Sequence, residues 1–357
     1  MKAMTDAREP VTPDDAADTR AIAKAPAVAR WLASGGTWIL LLDAALIIVF
    51  TALSSHQVFW SLQNFQALML DGTETLLLAL GIAMFLGAGA IDISVGSNLV
   101  LSSVLGAQVI VHVAGTPSAA GVYPHLWLGL ILGFLACAVA GVVYGAINGV
   151  IIAYFRVNSL IATLGTAGIG MGIALLITGG NDIGGLPAPI QADFGLYTVG
   201  PIPLPALVAL AIGAVLWAVL RTTRYGIRTL AIGSLRLAAE RAGLRVPRHL
   251  FSLAVLCGLL AGVAGFVDLS HYASTTVNGH TNDALAAITA VVIGGTRLEG
   301  GKISLPGALW GTGLSVLLQG GLVVIGVAPF WQLIAVGTVL IVAVCLDRIR
   351  FMRRVRA

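Results

Sequence analysis

The chain has 357 residues, of which 58% are hydrophobic and only 10% are charged. A soluble domain carries about 25% charged residues, so this composition excludes an ordinary soluble protein and indicates a membrane protein. The formal net charge of +4 comes from 20 Lys and Arg residues against 16 Asp and Glu residues. The basic residues flank apolar stretches, where topology and anionic lipid headgroups explain them, so we expect membrane lipid as a partner and no nucleic acid.

Ten apolar stretches are long enough to cross a bilayer as helices, which takes about 20 residues each. The predicted spans are 36–54, 72–90, 94–114, 126–147, 158–178, 203–221, 249–271, 284–300, 304–326 and 329–346. They predict an all-α, polytopic bundle with one transmembrane domain over residues 35–347. A polar, disordered tail is predicted for residues 1–34 and a short basic tail for residues 348–357.

The basic residues all fall on one side of this topology. With the N-terminus in the cytoplasm, Lys and Arg occur in the two tails, at Arg156, in the segment 221–248, and at Arg297 and Lys302. The five loops on the other face hold none. Because basic residues near span ends stay in the cytoplasm, the pattern predicts cytoplasmic termini and a multi-pass protein of the bacterial inner membrane.

Glycines at four-residue intervals mark three of the spans. They are Gly141, Gly145 and Gly149 in the fourth span, Gly258 and Gly262 in the seventh, and Gly307 and Gly311 in the ninth. Small residues at this spacing let helix backbones approach closely in lipid. The spacing predicts close helix packing, and gating hinges are the alternative interpretation.

Two segments interrupt the helical pattern at membrane depth, residues 87–96 and residues 293–302. The residues expected to form these breaks are Gly87, Gly89, Asp92, Gly96, Gly294 and Gly295. Irregular backbone inside a bilayer is tolerated only where protein or a water-filled cavity covers it. The two segments resemble each other weakly, and duplicated halves with interrupted helices are typical of transporters.

We single out three acidic residues within the predicted membrane part: Asp43, Asp92 and Asp268. An acid in this position is by default a functional candidate because its burial is costly. We expect no buried Lys or Arg to pair with any of them. We interpret Asp92 as the N-cap of the third span and Asp268 as reaching water near the outer end of its span.

The sequence contains no recognisable catalytic or metal-binding motif. The segment from Gly295 to Lys302 departs from the phosphate-loop pattern GxxxxGK[ST], because Gly301 is inserted and Ile303 replaces Ser or Thr. We therefore expect no catalytic residue, no metal, no cofactor and no ATP site on this chain. An intramembrane enzyme is disfavoured for the same reason.

The segment 221–248 is the densest polar stretch of the chain. Within it, residues 235–242 are predicted to form a short helix that is ended by Gly243 and stopped by Pro247. The segment is too apolar for a freely solvated loop, so we predict that it docks on a partner. The residues expected to make this contact are Arg236, Leu237, Ala238, Ala239, Arg241, Gly243 and Leu244.

Four segments resemble the permease subunits of sugar-importing ABC transporters of the ribose, xylose and autoinducer-2 group. They are GAIDISVGSNLVLSSVLGA (89–107), GAINGVIIAYFRVNSLIATLGTAGIGMG (145–172), AIGSLRLAAERAGLRV (231–246) and ITAVVIGGTRLEGGKISLPGALWG (288–311). The third is similar to that family's cytoplasmic coupling segment. The chain departs from the family at Ala284 and Ala286, where many members have acids, at Arg297, and at residues 319–321.

The resemblance implies import of a monosaccharide or small polyol by alternating access. It implies a cytoplasmic ATP-binding subunit on the coupling helix, a periplasmic or lipid-anchored sugar-binding protein, and a second permease copy, identical or paralogous. A secondary transporter is the alternative, disfavoured by the few intramembrane acids. Candidate pathway residues are Ser94, Asn98, Asn148, Thr163 and Thr166, unless each only satisfies backbone groups or bridges helices within the bundle.

Overall fold

A computed structural model describes residues 37–118, 122–280 and 282–328, with eight further residues between 330 and 342. The two predicted tails lie outside the described residues, as does most of the predicted tenth span.

The described part of the chain is almost entirely helical. Its helices are α1 (Thr37–Leu53), α2 (Leu62–Gly87), α3 (Val95–Ala114), α4 (Leu126–Gly149), α5 (Ser159–Thr178), α6 (Ala188–Ile190), α7 (Leu204–Thr222), α8 (Arg224–Ser234), α9 (Arg236–Arg241), α10 (Val246–Tyr272), α11 (Asp283–Ile293) and α12 (Leu305–Val324). A 3-10 turn (Ser55–Trp60) precedes α2, and π turns extend α4 (Val150–Tyr154) and α6 (Gln191–Gly195). Two short strands, β1 (Thr198–Val199) and β2 (Ile202–Pro203), pair antiparallel.

Seven of these helices are long and apolar enough to cross a membrane, and α1 and α11 add two shorter apolar helices. The prediction of an all-α, polytopic membrane bundle is confirmed. Helix α2 begins at Leu62, ten residues before its predicted start, because the Ser61 side chain caps it by accepting a hydrogen bond from the Asn64 amide. Helix α11 ends at Ile293 rather than at 300, because Gly295 follows with a φ of 89° that leaves the helix.

Helices α2 and α10 form the centre of the bundle. In their most apolar windows 72% and 67% of the residues are buried, against 22% for α7, so α7 lies at the periphery. From Leu76 to Gly87 every residue of α2 is buried. Helix α2 therefore runs through the core and leads into the first helix break, which follows its end.

The glycine stripes pack as the spacing predicts. A Cβ atom on Gly141 of α4 would overlap the carbonyl oxygen of Gly258 on α10, and a Cβ on Gly258 would overlap the main chain of Gly141. In the same way, Gly311 of α12 lies against the main chain of Ala290 on α11. Helix backbones touch at these points, which confirms the close packing predicted for these stripes.

The inferred topology predicts which loops a reagent outside the cell can reach. Single cysteines at Ser118, Ala188 or Asn278 should react with a membrane-impermeant maleimide in intact cells, whereas a cysteine at Leu235 should react only after the cells are opened. The native Cys137 and Cys257 are buried and should give little background. Labelling at position 235 in intact cells would contradict the orientation.

Candidate functional site

The predicted coupling helix is present as α9, and it ends as expected. The amide of Gly243 donates to the Glu240 carbonyl (3.0 Å) and the amide of Leu244 to the Ala239 carbonyl (3.1 Å). Gly243 has a φ of 81°, a left-handed conformation that glycine adopts without strain. The predicted role of Pro247 is wrong, because Pro247 lies in the first turn of α10, where a helix does not need its missing N–H.

The burial of α9 corrects the predicted docking face. Leu237 is 56% exposed, and Arg236, Ala238, Arg241 and Gly243 are also exposed. Ala239 is only 5% exposed and packs into the main core of the chain itself. Since Ala239 faces inward, it anchors α9 on the bundle and is not available to a partner.

Helix α8 is fixed to the start of α10. The Tyr225 hydroxyl lies 2.9 Å from Ser252 Oγ, and Thr229 Oγ1 lies 2.8 Å from His249 Nε2. Burial raises the pKa of Tyr225, so this phenol stays protonated and able to donate. Helix α8 is therefore packed on α10 and is not part of a loose loop.

The first helix break follows α2. Gly87 ends the helix, and a Cβ atom there would overlap the Ile303 side chain. Gly89 has a φ of 81°, and a Cβ atom on Gly96, at the start of α3, would lie 3.0 Å from the carbonyl oxygen of His280. These glycines are required by conformation or by close approach, as expected for irregular backbone in the membrane.

The second break follows α11, and its two glycines are required for different reasons. A Cβ atom on Gly294 would overlap the main chain of Gly307 on α12. A Cβ atom on Gly295 would meet no described atom within 4 Å, so the close packing expected there is absent. Gly295 is required for its φ of 89° instead.

The two breaks and the coupling segment meet at one point, which we call the glycine junction (Gly87, Gly233 and Gly301). The Gly301 amide donates to the Gly87 carbonyl at 2.9 Å. Gly233 of α8 fits between them, because a Cβ atom there would overlap both groups. Thus α8, which belongs to the predicted coupling segment, contacts both interrupted segments at this point.

Asp92 forms a buried network in the first break. Its Oδ1 accepts hydrogen bonds from the Ser94 amide (2.8 Å) and the Ser94 hydroxyl (2.5 Å), and Asn148 Nδ2 donates to Ser94 Oγ at 2.8 Å. Helix α3 begins at Val95, so Ser94 occupies the cap position. Asp92 is therefore not the N-cap that the sequence suggested, and it fixes the turn before the helix by binding the amide two residues on.

The other candidate pathway residues use their polar atoms inside the bundle. Asn98 Nδ2 donates to the Gly258 carbonyl (3.3 Å), Thr163 Oγ1 to the Ser159 carbonyl (2.8 Å), and Thr166 Oγ1 to the Thr163 carbonyl (3.3 Å). With Ser94 and Asn148 they are buried, and none of the five lines either cavity described below. Their observed contacts bridge helices and satisfy backbone groups.

A cavity of about 300 Å³ lies between α2, α12 and residues 272–283, in the half of the bundle that the predicted topology places outside. Polar side chains dominate its wall: Asp71, Glu74, Tyr272, His280, Asp283 and Gln319. Asp71 is exposed at its mouth, whereas Glu74 is only 7% exposed. We call it the outer cavity.

A buried ion pair forms one wall of the outer cavity and corrects the interpretation of Asp268. Asp268 is fully buried, and its Oδ1 lies 3.0 Å from His280 Nε2 and accepts a hydrogen bond from Thr276 (2.8 Å). His280 Nδ1 lies 2.6 Å from Asp283 Oδ2. Burial lowers the pKa of His280, but the hydrogen bonds and charges of Asp268 and Asp283 outweigh burial and raise it to about 11. His280 is thus a cation at neutral pH.

Sequence reasoning missed this cluster because it looked only for Lys or Arg as the partner of an acid. The histidine lies outside the span, in the loop that folds back onto α10. The spacing of His280 and Asp283, three residues apart at a helix start, was the available signal. Glu74 Oε1, 3.8 Å from His271 Nδ1, has no hydrogen-bond partner among the described residues.

The outer cavity also contains a group with metal-ligand chemistry that the sequence did not suggest. Ligand atoms of Glu74, His280 and Asp283 all lie within 4.8 Å of one another. Both ring nitrogens of His280 already contact carboxylates, however, and a metal ligand must be a neutral imidazole. The arrangement therefore favours a protonated histidine over a metal site.

A second cavity, of about 410 Å³, lies in the half of the bundle that the predicted topology places on the cytoplasmic side. We call it the inner cavity; it is bordered by the first break at Gly89, by Arg156, by residues 233–236 of the coupling segment, and by Glu299 of the second break. It shares no lining residue with the outer cavity. The buried stretch Leu76–Gly87 of α2 separates the two.

The model of the family described as "Branched-chain amino acid transport system / permease component" matches residues 64–344. The chain belongs to this permease family. Its members are permease components, so the chain is a transport subunit and not an enzyme, and the family implies ATP-binding and substrate-binding partners.

Several relatives in this family are named as sugar permeases. The chain is 31% identical over 336 residues to the galactose/methyl galactoside import permease protein of Salmonella typhimurium, covering 91% of this chain and 96% of that protein. It is 37% identical over 277 residues to the ribose import permease protein of Bacillus subtilis, covering 76% and 80%. It is 29% identical over 318 residues to the D-allose transport system permease protein of Escherichia coli, covering 88% and 91%. No solved structure gave a significant match.

Proposed function

We propose that this permease is the transmembrane subunit of an ABC importer that moves a monosaccharide or small polyol into the cytoplasm. The observation that carries the proposal is the glycine junction, which joins a cytoplasmic helix to both helix breaks. Relatives named for galactose, ribose and allose support a sugar as the substrate. A sugar-binding protein outside would supply the ligand, and an ATP-binding subunit inside would drive the cycle.

The ATP-binding subunit would dock on the exposed side of α9, where Leu237 and Ala238 lie free of the bundle. Movement of α9 would carry α8, since both are attached to α10, and α8 contacts the two breaks. The two cavities on opposite sides of a sealed core are what alternating access requires. The two halves of the pathway would open in turn as the breaks shift.

The exposed apolar side chains of α4, α5 and α7 must be shielded from water by lipid or by another protein surface. Examples are Trp127, Ile161 and Val215, each more than half exposed. We propose that lipid covers most of this surface and a second permease copy, identical or paralogous, covers the rest. The protein would lie in the inner membrane with its termini in the cytoplasm, as the distribution of basic residues predicts.

The pairing of Asp268 with His280 is the one observation that favours a proton-coupled secondary carrier instead. Uptake experiments separate the two functions. Cells expressing the permease together with its ATP-binding subunit and its sugar-binding protein should take up labelled galactose, ribose or allose. Uptake should fail when the ATP-binding subunit cannot hydrolyse ATP, and it should continue when the proton gradient is collapsed but ATP is maintained. Uptake that persists without the ATP-binding subunit would contradict the proposal.

A further inference from the structure

The outer cavity contains a carboxylate with one oxygen that accepts no hydrogen bond from the described residues. Glu74 is more than nine-tenths buried and lines the cavity, and its Oε1 lies 3.8 Å from His271 Nδ1, too far for a hydrogen bond. A buried acceptor without a hydrogen-bond donor is costly, so such a group is retained where something else supplies the donor. A hydroxyl group of a molecule that enters the cavity can supply a donor to this carboxylate.

The charge of the outer cavity restricts what that molecule is. Its wall carries the carboxylates of Asp71, Glu74 and Asp283, and the one basic side chain on the wall, His280, is already bound to Asp268 and Asp283. An anionic ligand would be repelled, because the carboxylates at the cavity outnumber the two histidines, His271 and His280, that pair with them. A neutral ligand with several hydroxyl groups would donate hydrogen bonds to them.

The volume of the cavity and its other wall residues restrict the possible ligands further. A volume of about 300 Å³ is at the small end of ligand pockets and suits one sugar ring better than an oligosaccharide. Tyr272 lines the cavity and is nearly half exposed, so it offers an aromatic face beside the acceptors. Gln319 contributes an amide that donates and accepts.

We propose that the outer cavity is a transit site for a single neutral sugar or polyol, held by hydroxyl-to-carboxylate hydrogen bonds centred on Glu74. This inference rests on the proposed function and adds to it the location of a substrate site and a selection for uncharged substrates. It places substrate contact at the outer cavity instead of at the buried Ser94–Asn148 network. It also excludes sugar phosphates and sugar acids from this step, whatever a binding protein captures.

The test is binding to the purified full-length permease without its partners. Saturation-transfer NMR with D-galactose, D-ribose and D-allose at millimolar concentration should give a signal for at least one of them. D-galacturonate, which matches galactose except for its charge, should give none. Glu74→Gln, which keeps the shape but removes the charged acceptor, should weaken binding about tenfold, the effect of a single charge-assisted hydrogen bond.

Two controls make the result specific. Asp193→Asn removes an exposed carboxylate outside the outer cavity and should leave the signal unchanged. Gln319→Leu is a second variant of the cavity wall, used if Glu74→Gln fails to fold, and it should also weaken binding. Equal signals for galactose and galacturonate, no signal for any of the three sugars, or a normal signal from both cavity variants would overturn the proposal.

A bound metal is the competing outcome. Elemental analysis of the purified protein should find no stoichiometric zinc or manganese. A full equivalent that is lost in Glu74→Gln would overturn the sugar site in favour of a metal site at Glu74, His280 and Asp283. If uptake still depends on the ATP-binding subunit while binding is absent, this inference alone fails. If uptake is independent of that subunit, the proposed function fails.

Discussion

Replacing Gly258 with leucine should leave no correctly assembled permease and should abolish uptake. Gly258 of α10 lies against the main chains of Gly141 and Gly145 on α4, so a side chain would have to displace backbone. Inserting atoms into a packed core commonly costs about 1–3 kcal/mol, and we expect the upper end or more because main chain cannot move aside by changing rotamer. The measurement is the amount of monodisperse protein extracted from membranes, together with uptake.

The matched control is a glycine in another span with free space around it. A Cβ atom on Gly168 of α5 would meet no described atom within 4 Å. Gly168→Leu adds the same side chain at a comparable depth, and its yield should match the unaltered protein. If Gly258→Leu were recovered in normal amounts and transported sugar, the contact between α4 and α10 would not be the one described.

Ala238→Arg should uncouple ATP hydrolysis from transport while the permease still inserts and folds. Ala238 is exposed on α9 beside Leu237, and the two form the apolar part of the proposed contact. Burying a leucine side chain contributes roughly 1.5–3 kcal/mol, so a contact centred on Leu237 is strong enough to matter and weak enough to be reversible. An arginine in its centre would prevent close approach. The measurement is ligand-stimulated ATPase activity of the reconstituted complex, which we expect to fall at least tenfold.

Two neighbouring substitutions show whether this loss is specific. Ala238→Ser keeps a small side chain at the same position and should retain stimulation. Ala239→Arg places the same charge one residue further on, where the side chain is buried in the core, and should lower the yield of folded protein instead. If Ala238→Arg kept full stimulation and uptake, the ATP-binding subunit would dock elsewhere.

The contrast between Ala238 and Ala239 shows where sequence reasoning ends. The glycines of α4 and α10 were predicted to pack closely against other helices because a repeat of four residues places them on one face of a long helix. Helix α9 has only six residues, too few for a repeat to reveal its buried side. Which alanine faces inward is decided by how α9 packs on the rest of the bundle, and the sequence of α9 does not contain that information.

Some features of the candidate site were also predictable from the sequence, whereas others were not. The two breaks were predictable because glycine and polar residues interrupt apolar stretches. The pairing of Asp268 with His280 was not, since it depends on how residues 273–280 fold back over the end of α10. The outer cavity is likewise assembled from α2, α12 and that loop, and such distant segments leave no local pattern.

The glycine junction has a consequence for whether the two gates of the transport pathway can be open at the same time. Its three main chains meet with no side chain between them, so no side-chain torsion angle is available to absorb a displacement of α8. A rigid contact of this kind would transmit a displacement of α8 to both helix breaks at once. In an importer driven through this linkage, one break could not relax before the other, and no interval would exist in which both gates stand open. The close packing of these three glycines would then limit the number of ions that leak through the membrane in each transport cycle.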